Sequence, residues 1–162
     1  MKAVVQRVTR ASVVVDGEVV GCVARGMLIL LGVMKGDSSS EAERLATRIA
    51  QFRFFPDAEG RMNLSSLDLL AAGIDGGDAN IGALLVSQFT LAADGRKGRR
   101  PSFDRAEAPE RASPLVDHFR DHLISLGLPV ETGVFGADMR VELSNDGPVT
   151  FVLEEEPSST PA

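Results

Sequence analysis

Apolar and polar positions alternate in two rhythms along this chain. "AVVQRVT" (3–9) and "SVVVDGEVVGCVA" (12–24) are Val-rich, and Asp16-Gly17 separates two apolar runs, the pattern of a tight β-hairpin. "MLILLGVM" (27–34) is a continuous apolar run of strand length, which predicts a strand covered on both faces. The rhythm then changes. After Ser38, Ala42, Leu45, Ala46, Ile49 and Phe52 recur at helical spacing, with Ser38 and Glu41 placed for a capping box and Ser40 with Glu43 for a second one. That helix stops before Pro56, and "PDAEGRMNL" reads as a turn with Gly60 left-handed. Leu67, Leu69 and Leu70 offer apolar contacts, but "GIDGGDAN" (73–80) has the composition of a flexible loop.

"IGALLVSQFTL" (81–91) is the next strand, mostly buried, and a glycine-punctuated basic loop follows. A second helix is predicted over about 110–126, where Leu115, Val116, Phe119, Leu123 and Leu126 share a face and Gly127 with Pro129 stops it. Pro114 either starts that helix or bends it. "VETGVF", "DMRVELS" and "VTFVLEE" close the count as three strands, about seven or eight in all. Strands outnumber crossovers. The expectation is therefore one compact α/β domain over 1–154, a curved, mixed, barrel-like sheet with two main helices packed on one side. "EEPSSTPA" (155–162) reads as a disordered tail.

Charge and composition narrow the function classes. The 162 residues carry 17 Lys and Arg against 23 Asp and Glu, a net charge of −6, which argues against nucleic-acid binding through overall charge but leaves room for a local basic patch. The single cysteine, Cys22, permits no intrachain disulfide; it reads as a small buried hydrophobe in a protein of a reducing compartment. The N-terminus lacks a signal peptide's apolar region, and no apolar run approaches the ~20 residues of a membrane span, so a cytoplasmic location away from membranes is expected. His118 and His122 have the i,i+4 spacing of a metal pair, but no third ligand accompanies them; they read as surface or half-buried structural histidines, and neither a metal nor a cofactor is expected.

Three segments carry candidate chemistry. Ser87, Gln88 and Thr90 close a buried strand. They are either an ordinary strand end or the floor of a pocket whose hydroxyl, amide and backbone N–H groups meet a polar ligand or an oxyanion. Thr90 as a nucleophile requires an activating base, and none stands near it in sequence. Arg96, Lys97, Arg99 and Arg100 are either a solvated charge run or a clamp for the phosphates of a nucleic-acid backbone. Gly147-Pro148, just ahead of "VTFVL", is either a tight turn or a rigid main-chain hook facing a ligand.

"QRVTRASV", "VSQFTLAAD" with "RPSF", and "ADM" with "NDGPVT" closely resemble, in the same order, the D-aminoacyl-tRNA deacylases, also called D-tyrosyl-tRNA deacylases. The resemblance runs over about residues 1–154, although 65–80 is longer than the family usually has there. It implies a homodimeric esterase that cleaves D-aminoacyl-tRNA and glycyl-tRNA. It also implies that Gly147-Pro148, cis in the family, reaches into the partner's active site and faces the amino acid Cα. Ser87, Gln88, Phe89 and Thr90 then line the pocket, Arg7 braces the hook, Met139 packs near it, and Phe135 lies near the terminal adenine. A non-catalytic RNA-binding dimer that kept the pocket's shape is the rival expectation.

Overall fold

A computed structural model of the chain describes residues 1–73, 81–96 and 99–157. Most of the predicted "GIDGGDAN" loop, Lys97 and residues 158–162 lie outside the described residues.

The chain opens with β1 (Lys2–Val15), β2 (Glu18–Val23) and β3 (Arg25–Gly32). Asp16 and Gly17 both take positive φ, +51° and +86°, as the two-residue hairpin between β1 and β2 demands. The helix predicted after Ser38 is α1 (Ser39–Gln51). Its Ser38–Glu41 capping box is fully formed; the alternative at Ser40 is not the N-cap. A small hairpin follows, β4 (Phe55–Pro56) with β5 (Met62–Leu64), where only a turn was expected. Next comes α2 (Ser66–Ala71), which the sequence reading left unassigned; Ser65 and Asp68 give it a second capping box. The remaining elements are β6 (Ile81–Ser87), a 3₁₀ turn (Phe89–Ala92), α3 (Pro109–Ser125), β7 (Val130–Thr132) and β8 (Arg140–Glu154).

One sheet of six strands organises the molecule. Its order is β2-β1-β3-β6-β7, with β8 along the other edge of β1. β1 is long enough to pair twice on one side: residues 2–8 run antiparallel to β3 and residues 11–15 to β2. β3, β6 and β7 are parallel neighbours. The period-2 rule explains why β3 and β6 read as continuous apolar runs. Met27, Ile29, Leu31, Ala83 and Leu85 face one core, which they share with Leu45 and Ile49 of α1, Leu69 of α2 and Phe119 and Leu123 of α3. Leu28, Leu84 and Val86 face a second core with Val8, Ala11, Val13 and Val23, on the opposite face of the sheet. All three helices therefore lie on one face, one helix more than expected.

Other sequence expectations are corrected here. Cys22 is exposed on β2, because its neighbours Gly21 and Val23 take the inward positions. Pro114 lies inside α3, which starts earlier, with Pro109 at its first turn. "DMRVELS" and "VTFVLEE" are not two strands but one, β8, interrupted by a bulge. Glu155 at the start of the expected tail is placed: it exchanges backbone hydrogen bonds with Met1 and its carboxylate meets Arg44 and Arg48.

The α1 cap has a readable pH signature. Glu41 is buried, and its pKa is lowered from 4.5 to about 2, first by the Ser38 hydroxyl and then by Arg44 and the Ser38 N–H, with burial opposing. A depressed folded-state value means that the ionised form favours the fold above pH 4.5, and that this contribution disappears as pH falls toward 2. Glu41→Gln is expected to lower stability at neutral pH by about 1–2 kcal/mol, the scale of a lost cap. It should also flatten the acid limb of urea-unfolding stability between pH 4.5 and 2. An unchanged acid limb refutes this role for Glu41.

Candidate active site

Ser87 is the last residue of β6, and Gln88 N–H donates to the Leu31 carbonyl at 2.7 Å, so the chain is pinned to β3 as it leaves the sheet. The 3₁₀ turn starts at once. It folds tightly against the end of β3 because Gly32 has no side chain: a Cβ there would lie 3.0 Å from Leu91 Cβ and 3.1 Å from the Gln88 carbonyl. Such a turn leaves its first N–H groups, those of Phe89 and Thr90, without acceptors inside the turn. Gln88 Nε2 donates to Thr90 Oγ1, and Phe89 and Thr90 are exposed.

Beside this turn lies a cavity of about 500 Å³ between the ends of β3 and β6, the start of α3 and the segment 135–141. Ser87, Gln88, Phe89, Phe135 and Met139 all line it, so the structure unites five of the predicted residues. Its remaining wall is largely apolar, with Val86, Ala112 and Val116. Glu107 supplies its one ionisable side chain among the described residues, and sequence reasoning missed it. A Glu in a polar loop carries no signal of its own; only the fold turns Glu107 inward, where Ala108 N–H and Arg111 hold it.

Gly147-Pro148 is elsewhere on the chain. Opposite β1, Gln6 pairs with Thr150 and Val8 with Asn145, so β8 uses five steps where β1 uses two. The surplus is a loop whose tip, Gly147-Pro148, is exposed and joined by a cis peptide. A Cβ on Gly147 would collide with Val149 N, so glycine is required there. Arg7 stands under the tip. Its Nε donates to the Asp146 carbonyl at 3.1 Å and lies 3.0 Å from the Asp146 carboxylate, and its Nη1 donates to the Phe54 carbonyl at 2.6 Å. Asn145 closes the neck: its Nδ2 donates to the carbonyls of Arg7 and Val149 at 2.9 and 3.0 Å. This clasp was also missed, although Asn is the residue type that bonds backbone across turns. No residue of 145–149 lines the cavity of its own chain.

The basic loop is only partly free. Asp94 and Ser102 exchange backbone bonds at 2.8 and 2.9 Å and tie off its base. Arg96 forks onto Asp94, whose carboxyl is held well below the usual range by that guanidinium. Arg99 and Arg100 are exposed. His118 and His122 are half-buried and meet Glu43 Oε1 and Thr47 Oγ1, each at 2.8 Å, so they rivet α3 to α1. No group of three or more metal-ligating side chains occurs among the described residues.

Comparison with known proteins identifies the family and the fold. The family model described as D-Tyr-tRNA(Tyr) deacylase matches residues 4–154. A D-aminoacyl-tRNA deacylase of Geotalea uraniireducens is 55% identical over 154 residues, 95% of this chain and 93% of that protein. One from Chloroflexus aurantiacus is 56% identical over 95% of this chain and 90% of its own. Among solved structures, the c-Myc DNA Unwinding Element Binding Protein superposes with a TM-score of 0.84 at 39% identity, covering 96% of this chain and 99% of that one. A probable eukaryotic D-amino acid tRNA deacylase shares the fold, with a TM-score of 0.77 at 16% identity over 94% of this chain and 97% of that one. By sequence over nearly its whole length and by fold, this chain belongs to the D-Tyr-tRNA(Tyr) deacylase family.

Proposed function

We propose that this protein hydrolyses the ester joining a D-amino acid, or glycine, to the 3′-terminal adenosine of tRNA. In this reading two copies pair, and Gly147-Pro148 of each enters the cavity of the other. The observation that carries it is the separation just described: a braced, exposed main-chain tip on one part of the chain, and a cavity that contains none of its own tip on another. The curated relatives, named D-aminoacyl-tRNA deacylases, supply the substrate class.

Chirality is then judged by collision. D-amino acids and glycine present a hydrogen where an L-amino acid carries its side chain. A wall of main chain, braced by Arg7 and closed by Asn145, excludes the L form without needing any favourable contact to the D form. In the reaction, a water oxygen attacks the ester carbon, the carbonyl oxygen becomes an oxyanion, and the carbon–oxygen bond to the ribose breaks. The ribose 3′-oxygen leaves with a proton, giving free amino acid and tRNA. The N–H groups of Phe89 and Thr90, without acceptors inside the 3₁₀ turn, donate to the oxyanion. Ser87, Gln88 and Met139 shape the pocket, Phe135 flanks the adenosine, and the substrate's own 2′-hydroxyl assists the water. Arg99 and Arg100, with Lys97 of the same loop, meet tRNA phosphates; Arg96 takes part only by sharing its guanidinium with Asp94.

A second reading draws on the solved relative whose name describes DNA binding: a nucleic-acid-binding dimer without hydrolysis. Incubation with D-tyrosyl-tRNA and L-tyrosyl-tRNA, with light scattering for the oligomeric state, separates the two. The enzyme is expected to be a dimer that releases D-tyrosine and leaves the L ester intact. Hydrolysis of neither ester supports the second reading, and full activity of a lone subunit refutes the cross-subunit wall.

A further inference from the structure

We propose that Phe89 and Phe103 form a stacking platform for the unpaired nucleotide that precedes the terminal adenosine of the tRNA acceptor end. This rests on the deacylase reading above and extends its site outward. Phe89 is 60% exposed and Phe103 36%, and neither belongs to either hydrophobic core. Their rings nevertheless pack edge-to-face, with centroids 5.1 Å apart and planes at 66°. The arrangement is built by the backbone. The paired bonds between Asp94 and Ser102 close the basic loop and return the chain so that Phe103 lands on the 3₁₀ turn bearing Phe89.

Position and charge name the occupant. Phe89 lines the cavity and Phe103 does not, so the pair continues the cavity wall past its rim. A strand whose terminal ester sits in the cavity must leave over that rim. The first base outside it is unpaired and offers an aromatic face. Exposed Arg99 and Arg100 sit on the loop that carries Phe103, where they suit the phosphates of such a strand better than an apolar seam between protein copies. Exposed aromatic rings beside cations are how proteins hold single-stranded nucleic acid without reading its sequence, and each stacked base changes affinity by about 5- to 150-fold.

The test compares Phe103→Leu, Phe103→Ala and Phe103→Tyr on D-tyrosyl-tRNA and on D-tyrosyl-adenosine, which lacks the preceding nucleotide. For Leu and Ala the ratio of kcat/KM on tRNA to kcat/KM on the adenosine ester is expected to fall about tenfold or more, through KM, and Tyr should restore it. An unchanged ratio, or loss accompanied by dissociation into monomers, overturns the proposal; the latter would assign the pair to the subunit interface. Independently of catalysis, a short RNA ending in CCA, with 2-aminopurine in place of the penultimate base, should be quenched by the wild type and not by Phe103→Leu. Absence of quenching by the wild type also overturns it. A wild type that quenches the probe yet hydrolyses neither ester would fail the deacylase reading while leaving the platform standing.

Discussion

Replacing Arg7 by alanine is expected to lower discrimination between D- and L-tyrosyl-tRNA about a hundredfold, chiefly by admitting the L ester. The side chain is only 12% exposed and makes three contacts at once: the Asp146 carbonyl, the Asp146 carboxylate and the Phe54 carbonyl. Hydrogen bonds from a charged group contribute about 1.5–3 kcal/mol each. Two of them at the base of a projecting loop set how far its tip yields, and about 2.7 kcal/mol corresponds to a hundredfold. The contact to Phe54 matters because Phe54 is fully buried and packs on Phe55 and Phe151, so Arg7 couples the tip to the core rather than to another mobile surface group. Lysine should not rescue, since one ammonium cannot repeat a fork that reaches two carbonyls. Single-turnover rates on both esters, with light scattering to show that the variant remains dimeric, measure the effect. A dimeric Arg7→Ala protein with the wild-type D/L ratio would remove Arg7 from the brace.

The sequence showed most of this molecule, for identifiable reasons. Hairpin, α1 and α3 were legible because each is set by local chemistry: Asp16-Gly17 at positive φ, Ser38 with Glu41 at a helix start, Gly127 after a helix end. The projecting tip was visible as Gly147-Pro148, but its form was not. That β8 is one strand with a loop extruded from it depends on register against β1, a pairing more than a hundred residues distant in sequence. α2 was hidden because six residues give too little periodicity, although its Ser65–Asp68 box was present. Cys22 was misplaced for a similar reason: which face of β2 turns inward is decided by the sheet, not by the side chain. Residue types put Ser87 and Gln88 beside the cavity in advance, whereas Thr90, read with them, is not among its lining residues. Glu107 and the Phe89–Phe103 contact needed three dimensions, since the loop closed by Asp94 and Ser102 brings together positions that no periodicity connects.

The chemical step yields the largest expected effect. A D-tyrosyl-tRNA ending in 2′-deoxyadenosine should be hydrolysed about a thousandfold more slowly than its ribose counterpart at saturating enzyme. A neighbouring hydroxyl held beside the ester supplies, within the substrate, what would otherwise require a positioned protein group. Among the described residues the protein offers few alternatives. Thr90 Oγ1 accepts a hydrogen bond from the Gln88 amide, a group unable to take a proton from it. Both histidines are engaged between α3 and α1, and neither they nor Cys22, exposed on β2, line the cavity. Thr90→Ala is therefore expected to slow single-turnover deacylation by less than about tenfold, far below the loss that follows removal of a nucleophile. Glu107 is the competitor that geometry introduces, because its carboxylate lines the cavity. One of its oxygens accepts from Ala108 N–H and the other faces Arg111 Nε in a loose ion pair at 3.7 Å, which favours the charged carboxylate over a proton-accepting role. Glu107→Gln should therefore also stay within about tenfold, well short of a lost general base. If instead the deoxy substrate reacts normally and either variant loses a thousandfold, the base or nucleophile belongs to the protein, and the assignment passes to whichever residue collapsed.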